Sequence, residues 1–186
     1  MNAVEPIRDY DKILDIANYL KNKNYRDYMM FMIGIYIPIR ISDILQLRVR
    51  DVKKNSLSIR EKKTGKEQMI PINNQLRKII DEYIKNKADH EFLIVSKKTN
   101  KGSDKPITRQ QAYNILNDAA DHFGLQKIGC HTMRKTFGFH YYQQTKDIMS
   151  LQSILNHRDA NTTKLYIGLT QKMKNDAIIN FKYKKL

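Results

Sequence analysis

Hydrophobic residues recur along the chain at helical spacing, then in alternation, then at helical spacing again. Over residues 9–23, Ile13, Leu14, Ile16, Ala17 and Leu20 fall on one helical stripe, and Asp9 stands where an N-cap belongs. Asn24 can cap a second helix over 25–36. This one is apolar nearly all round (Met29, Met30, Phe31, Met32, Ile33, Ile35), the pattern of a buried central helix with methionines as core filling. Pro38 breaks the pattern, and a short third helix follows Arg40 over 41–47. The period then changes to two. Residues 56–60 and 68–72 alternate as strands around a turn at 63–66, and 92–96 is a candidate third strand, so two or three strands are expected. Residues 74–87 return to helical spacing with Leu76, Ile79, Ile80 and Tyr83 inward. A polar loop with four lysines follows at 97–106. Thr108 caps a helix ended by Gly124. Further helices are expected at 131–144, 147–156, near 162–166 and at 171–181, before a basic tail. No repeat and no linker divides the 186 residues. The fold class is α+β, mainly α: one helical domain with a small antiparallel sheet.

Composition changes the picture in one respect. Hydrophobic and charged contents of 41% and 28% are ordinary for a globular domain. The balance of 34 basic against 19 acidic residues is not: the net charge is +15 and the pI about 9.8. A field of that sign draws polyanions, nucleic acid first, with an anionic membrane surface as the rival. No apolar run reaches the roughly 18 residues of a spanning helix, and the N-terminus has no signal-peptide pattern. The single cysteine, Cys130, cannot form an internal disulfide and suits a reducing cytoplasm. Without a second cysteine it reads as an inert thiol rather than a metal ligand, and no Asp/Glu cluster suggests a two-metal nuclease.

Four short stretches carry candidate chemistry. Arg40 opens the third helix with Asp43 three residues on. Lys63 sits in the hairpin turn, His131 and Arg134 share a helix face, and His157 precedes Tyr166 by nine residues. Taken singly, each has a bland explanation. Arg40 and Asp43 suit a surface salt bridge, Lys63 a solvated turn, His131 and His157 helix ends, and any of eleven tyrosines a core position.

Together they carry a resemblance. From about residue 7 to about 170 the chain resembles the catalytic domain of the tyrosine recombinases, the family of phage integrases and bacterial chromosome-dimer recombinases. In that family the order is Arg, Lys in a β-turn, His-x-x-Arg, His, then Tyr. This chain supplies Arg40, Lys63, His131, Arg134, His157 and Tyr166 in that order. The surroundings agree: Arg40-Ile41-Ser42-Asp43, the hairpin leading to Pro71, and Thr162-Thr163 before Tyr166. Lys63 is preferred because it lies eight residues before Pro71; Lys62 and Lys66 stay open. Two positions depart from the pattern. Asn156 stands where glycine usually precedes the second histidine, and asparagine tolerates a left-handed conformation. Asp43 stands for a more frequent glutamate.

The resemblance implies a site-specific recombinase that cleaves and rejoins DNA through a 3′-phosphotyrosine intermediate. Arg40 and Arg134 would clamp the phosphate, with Asp43 orienting Arg40, and His157 would donate a hydrogen bond. Tyr166 would attack, His131 would act as base or phosphate ligand, and Lys63 would protonate the leaving 5′ oxygen. Lys62, Lys66, Lys135 and Arg158 would contact DNA. No cofactor and no metal is implied. The partner is double-stranded DNA, bound as a homotetramer by a protein that is monomeric when free, with accessory DNA-bending factors as further partners. The family's N-terminal core-binding domain is expected to be absent. The helix at 171–181, with Met173, Ala177, Ile178 and Phe181 on one stripe, either packs on its own core or docks on a neighbouring subunit. A type IB topoisomerase-like enzyme and a non-catalytic DNA-binding regulator are the alternative readings.

Overall fold

Helix α2 (Tyr25–Tyr36) is the axis of the molecule in the computed structural model, which describes residues 4–60, 65, 67–96, 105–126, 128–169, 175 and 178–182. Met29, Met30, Phe31 and Ile33 on this helix are sealed from solvent, as its all-round apolar sequence predicts. Helix α1 (Tyr10–Lys23) packs along one side, and α3 (Ile41–Ile44), α4 (Asn74–Ile84) and α6 (Thr132–Thr145) pack on others. Helix α5 (Arg109–His122) closes the layer over α1. Local chemistry sets the starts of these helices. Asp9 and Asn24 accept from the backbone N–H two residues on, and Thr108 and Gln111 cap each other reciprocally.

The sheet is a single hairpin among the described residues. Strands β1 (Ser56–Arg60) and β2 (Glu67–Pro71) run antiparallel, with Ser56 opposite Pro71 and Arg60 opposite Glu67. Leu57 and Ile59 face the core, as the alternation requires. The candidate third strand at 92–96 does not form. Phe92 makes one bridge to Arg48, and Val95 one to Pro106. Leu93 and Ile94 are adjacent and both fully buried, whereas a pleated strand sends neighbours to opposite faces. The segment is instead an irregular tie, held by Leu93 N donating to Leu47 O and Ile107 N donating to Ile94 O.

Two short helices complete the described elements, α7 (Ile148–Ile154) and α8 (Ala160–Tyr166). They rest on a separate, smaller core of Leu151, Leu155 and Ile167, flanked by Phe137, Tyr141, Tyr166 and Leu169. The helix expected near 162–166 thus begins earlier, because the Asp159 carboxylate accepts from Thr162 N and caps it. Of the helix expected at 171–181, residues 175, 178 and 179 are helical, and the remainder up to residue 177 lies outside the described residues. The turn bearing Lys62, Lys63 and Lys66, the loop at 97–104 and the tail from 183 lie outside them too. No helix among the described residues is long and apolar enough to cross a membrane.

The α2–α6 contact is closest at Gly34. A Cβ there would meet Met133 Sδ at 2.4 Å and Met133 Cβ at 2.9 Å. Gly34→Ala is therefore expected to overpack this contact and cost about 1–3 kcal/mol, read as a lower urea midpoint with an unchanged slope.

Candidate active site

Arg134 lies in the first turn of α6, and its side chain is drawn inward until only 3% of the residue is exposed. Its Nη2 donates to Leu155 O at 2.7 Å, a carbonyl at the C-terminal end of α7. A buried guanidinium needs such acceptors, and a helix C-terminus adds a favourable partial charge. The same helix end sets the next functional group. Asn156 takes φ +52, the left-handed conformation. Asn156 N donates to Ser153 O at 2.9 Å and His157 N to Gln152 O at 3.0 Å, the paired bonds of a left-handed helix cap. Asparagine thus does what glycine would, and His157 leaves the cap aimed at Arg134.

His157 is held from behind. Its Nδ1 lies 3.0 Å from Thr163 Oγ1, whose own hydrogen goes to Asp159 O at 3.3 Å. The hydroxyl oxygen therefore accepts from Nδ1–H, a tautomer assigned from this network, and Nε2 is left to face the site. Burial first, then Arg134 and Arg40, hold the imidazole below its ordinary pKa, so it is neutral at pH 7. Thr163 is fully buried, and this role was not visible in the sequence beyond its place in the Thr162-Thr163 pair.

Tyr166 closes α8 with its ring edge-on to His157, centroids 4.9 Å apart. Its hydroxyl oxygen is covered and has no hydrogen-bond partner among the described residues. Burial pushes the phenol up to about 12, while Arg134 and Arg40 pull the other way. Arg40 reaches the site from the N-terminal end of α3, where Ile39 and Ile41 on either side are buried in the core and fix its backbone. Asp43, one helical turn on, is buried.

His131 sits at the N-terminal end of α6 and remains exposed. Partial burial, then the fields of Arg109, Arg134, Arg40 and Lys135, lower its pKa, so it is neutral and able to accept a proton at pH 7. Arg109, the first residue of α5, had no sequence signal beyond its charge; only the packing of α5 brings it to His131. The structure therefore gathers Arg40, His131, Arg134, His157 and Tyr166. Arg158 is exposed beside them, whereas Lys135 is half-buried with Nζ donating to Val4 O at 2.8 Å. Lys62, Lys63 and Lys66 fall outside the described residues. Cys130 is half-buried against the main core, and among the described residues no three His, Cys, Asp or Glu side chains gather to hold a metal ion.

The left-handed cap gives a direct test. Asn156→Gly is expected to preserve stability within a few tenths of a kcal/mol, and Asn156→Ala to cost about 1 kcal/mol, because alanine keeps the Cβ that strains this conformation and lacks the short polar side chain that offsets the strain in asparagine. Urea unfolding of the two variants measures the difference.

The chain has known relatives. The model of the phage integrase family matches residues 7–173. The chain is 49% identical over 172 residues to "Probable integrase/recombinase YoeC" of Bacillus subtilis (strain 168), covering 92% of this chain and 93% of that protein. It is 29% identical to "Tyrosine recombinase XerA" of Pyrococcus horikoshii, covering 90% of this chain but only 57% of that longer protein. In three dimensions it superposes on the crystal structure of XerA recombinase with a TM-score of 0.76 at 17% identity, over 97% of this chain and 66% of that one. With a family match over residues 7–173 and a relative 49% identical over nearly the whole of both chains, this chain belongs to the phage integrase family.

Proposed function

We propose that the chain is a site-specific DNA recombinase that cleaves and rejoins DNA strands through a 3′-phosphotyrosine bond. One observation carries the reading: the covered Tyr166 phenol stands edge-on to His157, centroids 4.9 Å apart, next to the α7 end whose Leu155 carbonyl holds the buried Arg134, and Arg134 and Arg40 oppose the effect of the phenol's burial. A core tyrosine needs no such cations. A nucleophile that must lose a proton while attacking an anionic phosphate does.

The chemistry follows from the groups present. A phosphodiester repels nucleophiles, and its transition state concentrates charge on the non-bridging oxygens. Arg40 and Arg134 are placed to bind those oxygens through charge-assisted bonds. Tyr166 attacks phosphorus, and its proton passes to a neutral base. His131 fits that role because the surrounding cations keep it unprotonated. His157 presents Nε2 to the same phosphate. An arriving anion would raise its pKa and convert Nε2 into a donor. Lys63 is the proposed acid for the 5′ oxygen. The covalent intermediate preserves the energy of the broken linkage, so religation needs no nucleotide cofactor.

The +15 charge suits double-stranded DNA as the partner, with Lys62, Lys66 and Arg158 as proposed backbone contacts; Lys135 is engaged by Val4 O and the Tyr166 ring instead. Assembly of four copies on DNA, aided by DNA-bending factors, belongs to the same proposal. So does exchange of the C-terminal segment between subunits. Ile178, Ile179 and Phe181 are each at least 64% exposed and stand outside both cores, as a segment awaiting a neighbour would.

Incubation with nicked suicide duplexes carrying the DNA that flanks its own gene is expected to give a covalent protein–DNA adduct. Tyr166→Phe is expected to abolish it while leaving DNA affinity within about twofold. Adduct formation by the phenylalanine variant would assign the attack to another tyrosine, and no adduct from the unaltered chain would sink the recombinase reading. Truncation after Leu169 should leave a folded chain with normal adduct formation but no complete strand exchange. An unfolded truncated chain would return the segment to its own core.

A further inference from the structure

The segment Val4–Arg8 lies across the active-site helices rather than beside them. Ile7 N donates to Thr136 Oγ1 at 2.9 Å, and His140 Nε2 lies 2.9 Å from Ile7 O, so the segment is fastened to α6 through a buried contact. Val4 is pressed against Gly129, where a Cβ would meet Val4 Cγ1 at 2.8 Å. From this anchored segment two contacts reach the end of α8. Lys135 donates to Val4 O at 2.8 Å and carries its ammonium 5.2 Å from the centre of the Tyr166 ring. Arg8 donates to Gly168 O, two residues past the tyrosine, and to Glu5 Oε2, both at 3.3 Å. Gly168 has φ +66, and a Cβ there would meet Arg8 Nη2 at 2.6 Å, so the two are closely apposed.

These contacts matter because α8 has little else to hold its end. It is seven residues long, too short to be stable on its own, and rests on the small core of Leu151, Leu155 and Ile167. The Tyr166 hydroxyl has no hydrogen-bond partner among the described residues to fix the ring. The ring is placed by what packs on it and by the backbone that follows it. A cation over the ring's face favours the ring position that keeps the two together.

We propose that the strap Val4–Arg8, acting through Lys135 on the ring and Arg8 on the Gly168 carbonyl, positions the Tyr166 nucleophile for attack. Lys135 and Arg8 are positioning residues here: neither need touch the phosphate. Burial lowers the pKa of Lys135 and the nearby Glu5 carboxylate opposes that fall, so the lysine's charge is balanced within the strap itself.

The inference rests on the recombinase reading, and the test separates the two. Single-turnover adduct formation is measured at saturating protein for the unaltered chain, Lys135→Met, Lys135→Arg, Arg8→Ala and the Lys135→Met/Arg8→Ala double variant. Lys135→Met and Arg8→Ala should each slow the step by about ten- to a hundredfold, the scale of a nucleophile misplaced by up to an ångström. DNA affinity and melting temperature should stay near those of the unaltered chain. Lys135→Arg, which keeps a cation and a donor, should recover most of the rate. The double variant should be little slower than the slower single one, since both act through one strap. Unchanged rates would overturn the proposal. Slowing matched by lost DNA affinity would make Lys135 a DNA contact instead, and slowing matched by lost stability without rescue by arginine would make the strap mere packing. An unaltered chain that forms no adduct removes the recombinase reading and this inference together.

Discussion

A buried arginine organises the catalytic half of this protein. Arg134 is almost wholly removed from water, and its Nη2 is bound to the carbonyl that ends α7. Desolvating a cation is costly unless acceptors replace the water. That requirement locks α6 against the end of α7, and the other parts follow from the lock. The left-handed cap at Asn156 turns the chain, His157 emerges from it, and Asp159 starts the helix that ends in Tyr166. A shift of the α7 end would move the guanidinium and the imidazole together.

The two cores divide the labour. The main core, centred on α2, fixes Arg40 between buried isoleucines and supports the base of α6. The smaller core carries the segment with His157 and Tyr166. Gly138 joins the second core to α6, since a Cβ there would meet Ile167 Cγ2 at 2.9 Å. Arg40 is thus held by a large packed body, and His157 and Tyr166 by a lighter attachment. Few buried contacts make a segment easier to displace, so the end of α8 is the more readily shifted part.

The electrostatics point one way. Burial first, then the arginines around them, lower the pKa of both histidines, while Arg134 and Arg40 oppose the rise that burial imposes on the phenol. Concentrated positive charge thus adds to burial in keeping both imidazoles neutral, and counters burial at the phenol. The folded-state pKa of both histidines lies below the unfolded value near 6.5. The unfolded chain therefore binds more protons as pH falls through that value, and the free protein loses stability towards acid. A bound phosphate reverses the sign of the local field and offsets part of that loss.

Much of this was legible along the chain because it is local. The N-caps Asp9, Asn24 and Thr108, the apolar girth of α2 and the alternation around Leu57 and Ile59 each depend on residues a few positions apart. So does the suitability of Asn156 for a left-handed turn, and the order Arg40, Lys63, His131, Arg134, His157, Tyr166 carried the resemblance to the family. What depends on residues far apart was not legible. Leu93 and Ile94 sit in a segment that looks like a strand, and only the core around them shows that both point inward. Arg109 became part of the site because α5 packs over α1 and lies near His131. Lys135 looked like one more surface cation, yet its ammonium is bound to a carbonyl 131 residues earlier in the chain. Helical period and capping are written in neighbouring residues, whereas which charge faces which is decided only when distant segments share one low-dielectric interior.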